Sequence, residues 1–119
     1  MKNNVSDLSA FNVAPALVID DDSASRNLLM DLLHELGFKN ITAKKSGADA
    51  LTFLEENKEW RGIILCDWNM PHMTGTELYD HVKKNNPDTP FIMVTGRNDA
   101  DSVMHAKDNG IYAYIVKPF

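Results

Sequence analysis

Charged and hydroxyl side chains follow the short apolar runs of this sequence. The runs at 16–19, 63–66, 91–94 and 112–116 are followed by Asp20-Asp21-Asp22, Asp67, Thr95 and Lys117. If these side chains meet, the carboxylates repel one another by about 4 kcal/mol per pair at 4 Å and an effective dielectric near 20. A hard divalent cation relieves that repulsion, and Mg²⁺ accepts carboxylate, water and phosphate oxygens. The pattern therefore predicts a Mg²⁺ site with room for a phosphoryl group. There, Lys117 would pair with an anionic oxygen and Thr95 would donate a hydrogen bond.

The elements that would position these side chains follow from hydrophobic periodicity. The apolar runs lack polar alternation, which is typical of strands buried on both faces. Between them lie segments with helical spacing. One example is 23–36, where leucines recur at helical intervals and Gly37 is expected to end the helix. Five strand and helix alternations predict an α/β fold, a doubly wound five-stranded parallel sheet with helices on both faces. The carboxyl ends of such strands meet at one edge, where ligands bind.

Each of these residues also has a plain structural interpretation. The three aspartates could be a helix N-terminal cluster favoured by the helix dipole, and Asp22 alone could be a cap. Thr95 could be a strand-end hydroxyl in a turn, and Lys117 could be a solvated lysine. The presence of Asp67 at a second strand end favours the metal interpretation of Asp20 and Asp21.

Together, these motifs resemble the receiver domain of response regulators in two-component signalling. The resemblance is carried by Asp20-Asp21, Asp67, Thr95 and Lys117-Pro118-Phe119, and it extends from about Leu17 to Phe119. The stretch Asp67-Trp68-Asn69-Met70-Pro71 is most similar to the chemotaxis branch of that family. The resemblance implies a flavodoxin-like strand order, 2-1-3-4-5.

The resemblance also implies a role for each matching residue. Asp67 would take a phosphoryl group from a phosphohistidine, and Lys117 would neutralise a phosphoryl oxygen. Asp20, Asp21, Asp67 and the backbone carbonyl of Asn69 would hold Mg²⁺. Thr95 and Tyr114 would act as switch residues that move after phosphorylation. The partners implied are a histidine kinase or a histidine phosphotransfer protein, with an output partner or output domain. The implied chemistry is self-phosphotransfer and autodephosphorylation, without enzymatic turnover.

Composition limits the other functions. The chain has 119 residues and a formal net charge of −5, which argues against a nucleic-acid surface on this segment. One cysteine excludes an internal disulfide, and no apolar run is long enough for a membrane span. The sequence therefore predicts a cytoplasmic protein with one domain. Residues 1–14 are expected to form a flexible leader, and residues 15–119 the receiver domain.

The predicted domain departs from the family in one respect. Receivers continue into a fifth helix, and this sequence stops at Phe119, so the face of the sheet shared with the first helix is expected to be half covered. We see three explanations. The sequence is a piece of a longer protein, the leader covers the gap through Leu8 and Phe11, or a second chain covers it in a homodimer.

Three alternative functions remain. Asp20-x-Asp22 resembles the opening motif of haloacid dehalogenase-like phosphatases, but that class needs a further acidic pair after its lysine and leaves Asp67 unexplained. A pseudo-receiver would keep the fold and bind partners without phosphorylation. A flavodoxin-like electron carrier would need a hydroxyl-rich phosphate loop, whereas the three aspartates would repel a flavin phosphate.

Overall fold

The parallel sheet predicted from the sequence is present. The computed structural model describes residues 5–68, 75–95 and 111–116. The elements are a 3-10 helix at Val5–Phe11, then β1 (Ala16–Ile19), α1 (Ser23–Glu35), β2 (Ile41–Lys44), α2 (Gly47–Glu56), β3 (Ile63–Asp67), α3 (Gly75–Asn85), β4 (Phe91–Thr95) and β5 (Ala113–Val116). The helix predicted between β4 and β5, at 98–109, lies outside the described residues.

The five strands form one sheet in the order β2-β1-β3-β4-β5, and each neighbouring pair is parallel. This order confirms the doubly wound, flavodoxin-like topology. Because the strands are parallel, their carboxyl ends lie along one edge. The register pairs Ile19 with Cys66 and Thr95 with Val116, so the residues at those ends are brought level with one another.

Alternate strand residues supply two apolar clusters, one on each face of the sheet. On one face, Leu17, Ile64 and Met93 pack with residues of α2 and α3. On the other, Val18, Leu65 and Val94 pack with α1. The central strands are fully buried, as expected for apolar runs covered on both sides. Each Å² of apolar surface that these clusters bury stabilises the fold by about 25 cal/mol.

Helix α1, which follows Asp20, Asp21 and Asp22, ends in a specific C-terminal capping motif. Gly37 has a positive φ of 97° and donates from its N–H to His34, while the N–H of Phe38 donates to Leu33. This is the Schellman pattern, and Phe38 and Leu33 belong to the same buried cluster, as that motif favours. The predicted helix end at Gly37 therefore has a specific backbone cause.

The N-terminal segment, which the sequence analysis assigned to a leader, contains a short helix with a buried leucine. Val5–Phe11 form a 3-10 helix, and Leu8 is only 3% exposed within the cluster on the α1 face. Packing on the sheet is favourable for Leu8 because it removes an apolar side chain from water. Leu8 therefore packs on the same face of the sheet as α1.

Candidate functional site

The site is built on the ends of two adjacent strands. Asp20 directly follows β1, and Asp67 is the last residue of β3. Because Ile19 pairs with Cys66 in register, the next residue on each strand is an aspartate at the same level of the sheet. Parallel pairing therefore brings together two carboxylates that are 47 positions apart in the sequence.

A third carboxylate completes the cluster. Asp20, Asp21 and Asp67 each offer a carboxylate oxygen, and these oxygens lie within 4.8 Å of one another. Asp20 is fully buried and Asp67 is 7% exposed, whereas Asp21 is exposed to solvent. Three hard oxygen donors, with one side open to water, suit Mg²⁺, which keeps several waters and binds through few carboxylates. The donor set thus fits the metal expected from the sequence.

Local hydrogen bonds hold Asp20 in place. The backbone N–H of Asp22 donates to Oδ1 of Asp20 at 2.9 Å, and Nη1 of Arg26 donates to its backbone carbonyl at 2.8 Å. Sequence reasoning did not single out Arg26. The sequence feature that could have indicated this role is the position of Arg26 on the first turns of α1, from which a long side chain reaches back toward the strand end.

Asp22 has the role of a helix cap. Its backbone is extended, with φ of −91° and ψ of 120°, and its Oδ2 accepts from the N–H of Ser25 at 2.8 Å. An aspartate in this position satisfies one of the unpaired N–H groups at the start of α1. Of the three consecutive aspartates, therefore, two belong to the carboxylate cluster and the third caps the helix.

The predicted switch residues lie beside this edge. Thr95 is the last residue of β4 and is 2% exposed. Tyr114 lies on β5, opposite Met93, and is partly buried against the cluster formed with α2 and α3. Lys117 and Asn69, to which the sequence analysis assigned the phosphoryl contact and a metal ligand, lie outside the described residues.

Cys66 is the buried neighbour of the cluster. Its thiol donates to the backbone carbonyl of Asp67 at 3.2 Å. Burial raises the pKa of the Cys66 thiol well above its usual value, and the nearby Asp67 and Asp20 raise it further. The thiol is therefore protonated at neutral pH and is a poor nucleophile.

We expect Asp20→Asn to raise the free energy of unfolding of the metal-free protein by about 1 kcal/mol or more, because it relieves repulsion among close carboxylates. The same change should remove most of the stabilisation expected from Mg²⁺, which for the native protein would be about 2.7 kcal/mol at 100 times the dissociation constant of the ion. Urea unfolding with EDTA and with MgCl₂ measures both effects.

The matched control for this experiment is Asp31→Asn, since Asp31 is exposed on α1. It removes the same charge outside the cluster and should leave Mg²⁺ stabilisation intact. Equal Mg²⁺ stabilisation of Asp20→Asn and the native protein would contradict the assignment of Asp20 as a metal ligand.

The fold and the carboxylate edge define a doubly wound α/β domain with an acidic site, and comparison with known proteins specifies its family. The family model described as the response regulator receiver domain matches residues 16–119. A chemotaxis protein CheY homolog of Campylobacter jejuni is 37% identical over 105 residues, which are 87% of this chain and 80% of that protein. The chain therefore belongs to the response regulator receiver domain family, and within it is CheY-like.

Solved structures agree with this assignment. A response regulator receiver domain from Clostridium thermocellum aligns with a TM-score of 0.80 and 29% identity, covering 89% of this chain and 83% of that one. The receiver domain of the histidine kinase CKI1 from Arabidopsis thaliana, solved with Mg²⁺ and BeF₃⁻, aligns with a TM-score of 0.78 and 25% identity over 94% and 86% of the two chains. Among the described helices, none is long and apolar enough to cross a membrane.

Proposed function

We propose that this domain accepts a phosphoryl group on Asp67 from a phosphohistidine, with Mg²⁺ bound, and then signals to an output partner or output domain. The donor would be a histidine kinase or a histidine phosphotransfer protein. The observation that carries the proposal is the cluster of Asp20, Asp21 and Asp67 at the carboxyl edge of a receiver-family sheet. The complex of the Arabidopsis receiver with Mg²⁺ and BeF₃⁻ supports the choice of metal and of a phosphoryl-sized ligand.

Each residue of the site has a part in the transfer. A carboxylate oxygen of Asp67 attacks the phosphorus, the new O–P bond forms, and the P–N bond to the histidine breaks, with the bonding electrons returning to the imidazole. Asp20, Asp21 and Asp67 would hold the metal, and Lys117 would pair with a phosphoryl oxygen. Bound Mg²⁺ supplies positive charge that stabilises the phosphoryl oxygens during an in-line transfer.

Phosphorylation would switch the domain by favouring one conformation over another. The new group adds negative charge and strong acceptor oxygens at the edge of the sheet. Thr95, at the end of β4, would donate to one of them, and Tyr114 would turn inward behind it. Only the difference in these contacts between two conformations shifts the equilibrium, and a shift from 1:99 to 99:1 needs about 5.5 kcal/mol.

The domain would turn over no external substrate beyond hydrolysis of its own acyl phosphate. A cytoplasmic location is part of the proposal, because the single cysteine, which is buried and unpaired, suits a reducing compartment.

The test is the intact mass of the protein after incubation with acetyl phosphate and MgCl₂. We expect one added phosphoryl group, and no addition when EDTA replaces the magnesium. Borohydride reduction followed by peptide mapping should place the modification on Asp67. A folded, Mg²⁺-binding protein that takes no phosphoryl group would favour the pseudo-receiver alternative, and a modification at another residue would contradict the role of Asp67.

A further inference from the structure

The N-terminal 3-10 helix is attached to the domain at two places beyond its buried leucine. The ring of Phe11 meets the ring of Tyr112 edge-on, with centroids 5.4 Å apart. Nδ2 of Asn12 donates to the backbone carbonyl of Leu36 at 3.0 Å, at the end of α1. We call Val5–Asn12 the strap. It lies outside the residues that the receiver family model matches, which begin at Ala16.

The strap packs on the face of the sheet that carries α1, in a buried cluster with residues of β1, β3, β4 and β5. Leu8 belongs to the same buried cluster as Val94 of β4 and Ile115 of β5. Phe11 and Ala113 are half-buried against that cluster, and Phe11 also contacts Tyr112, just before β5 begins. The strap therefore contributes apolar contacts on the α1 face, where the start of β5 lies.

Strand β5 depends on such contacts more than the other strands at the site. In the described sheet β5 is an edge strand, and β4 is its one hydrogen-bonded neighbour. By contrast, β1 and β3 each pair on both sides. An edge strand with one ladder relies on side-chain packing to keep its position, because the opposite backbone edge has no strand to pair with.

We propose that Leu8 and Phe11 are positioning residues for phosphoryl transfer, acting through β5. This proposal rests on the proposed function. Val116, the last residue of β5, pairs with Thr95, and Lys117 follows it directly in the sequence. The strap thus packs in the same cluster as β5, which Lys117 follows in the sequence, and as β4, which ends at Thr95.

The proposal separates two parts of the site. The carboxylates that would bind the metal follow β1 or end β3, and because both strands are held by ladders on two sides, they should depend on the strap less than β5 does. The hydroxyl and the amine that would contact the phosphoryl group are those of Thr95, at the end of β4, and of Lys117, the next residue after β5 in the sequence. Loss of the strap should therefore slow phosphorylation while leaving metal affinity unchanged.

The experiment uses the full chain and compares Phe11→Ala, Leu8→Ala and Leu8→Met with the native protein. We measure Mg²⁺ affinity by calorimetric titration and the initial rate of phosphorylation by acetyl phosphate at saturating Mg²⁺. We expect the rate to fall about tenfold in Phe11→Ala and Leu8→Ala, since a displacement of about 1 Å in a positioning group can cost about 100-fold. Leu8→Met, which conserves volume, should restore most of the rate.

Two controls separate positioning from general destabilisation. Val13 is 96% exposed just beyond the strap, so Val13→Ala should behave like the native protein. Hydrogen exchange should accelerate at 112–116 in Phe11→Ala and stay unchanged in β1 and β3. Phe11→Leu, which keeps an apolar side chain but removes the contact of the two rings, serves as a milder variant should Leu8→Ala fail to fold.

Each outcome bears on the proposal. A rate loss in folded variants with Mg²⁺ affinity within about twofold of the native value supports it. Equal losses of rate and Mg²⁺ affinity, or unchanged rates in Phe11→Ala and Phe11→Leu, overturn it and leave the strap a purely structural role. If the native protein takes no phosphoryl group, the proposed function itself fails. If the native protein is phosphorylated and the variants match it, only the inference about the strap fails.

Discussion

Asp67→Asn is expected to abolish phosphorylation by acetyl phosphate, with a loss of at least about 100-fold in initial rate. The amide has nearly the shape of the carboxylate, but it lacks the anionic oxygen that attacks phosphorus, so no acyl phosphate forms. The change also removes one of the three carboxylates within 4.8 Å, which should weaken Mg²⁺ binding. Intact mass after incubation with acetyl phosphate and MgCl₂ measures the loss.

The matched control is Asp22→Asn, which makes the same chemical change at the aspartate that follows Asp20 and Asp21 in the sequence. Asp22 caps α1, and asparagine caps helices as well as aspartate does, so both the fold and phosphorylation should be retained. If Asp67→Asn still gained a phosphoryl group at the native rate, another residue would be the acceptor. If Asp22→Asn lost phosphorylation, the division of the three aspartates between cluster and cap would be wrong.

Gly62→Ala is expected to cost about 3 kcal/mol or more of the free energy of unfolding, in the upper range for overpacking. A Cβ at this position would lie 2.1 Å from the backbone oxygen of Pro15 and 2.7 Å from the Trp60 ring. The backbone of Pro15 cannot yield easily, because its carbonyl accepts from the N–H of Ile63, where β1 and β3 begin to pair. Urea unfolding monitored by circular dichroism measures the change.

Gly37→Ala provides the comparison. Gly37 has a left-handed backbone, which costs about 1–2 kcal/mol for an alanine. The nearest atom to its added Cβ, at 2.7 Å, is Nδ2 of Asn12, the end of a side chain that can move. We therefore expect Gly37→Ala to be destabilising, but less so than Gly62→Ala. The reverse order would show that the contact with Pro15 relaxes at little cost.

The sequence pattern was sufficient for a parallel sheet and for the described part of its acidic edge, whereas the strand order was implied by the family resemblance. Apolar runs without polar alternation identify strands buried on both faces, and their alternation with helices requires parallel pairing. Parallel pairing in turn places the ends of β1, β3 and β4 on one edge. Asp20, Asp21, Asp67 and Thr95 could be assigned to that edge because only the strand ends had to be known.

Contacts between segments distant in the sequence were decided by the tertiary structure. The sequence left open whether Leu8 and Phe11 pack on the domain, and the structure places Leu8 in the buried cluster on the α1 face. Likewise, Gly62 carries no turn signal, and its lack of a Cβ matters only because Pro15 passes close by. Periodicity reports how each segment divides its own side chains between core and water, whereas these contacts depend on which segments the fold brings together.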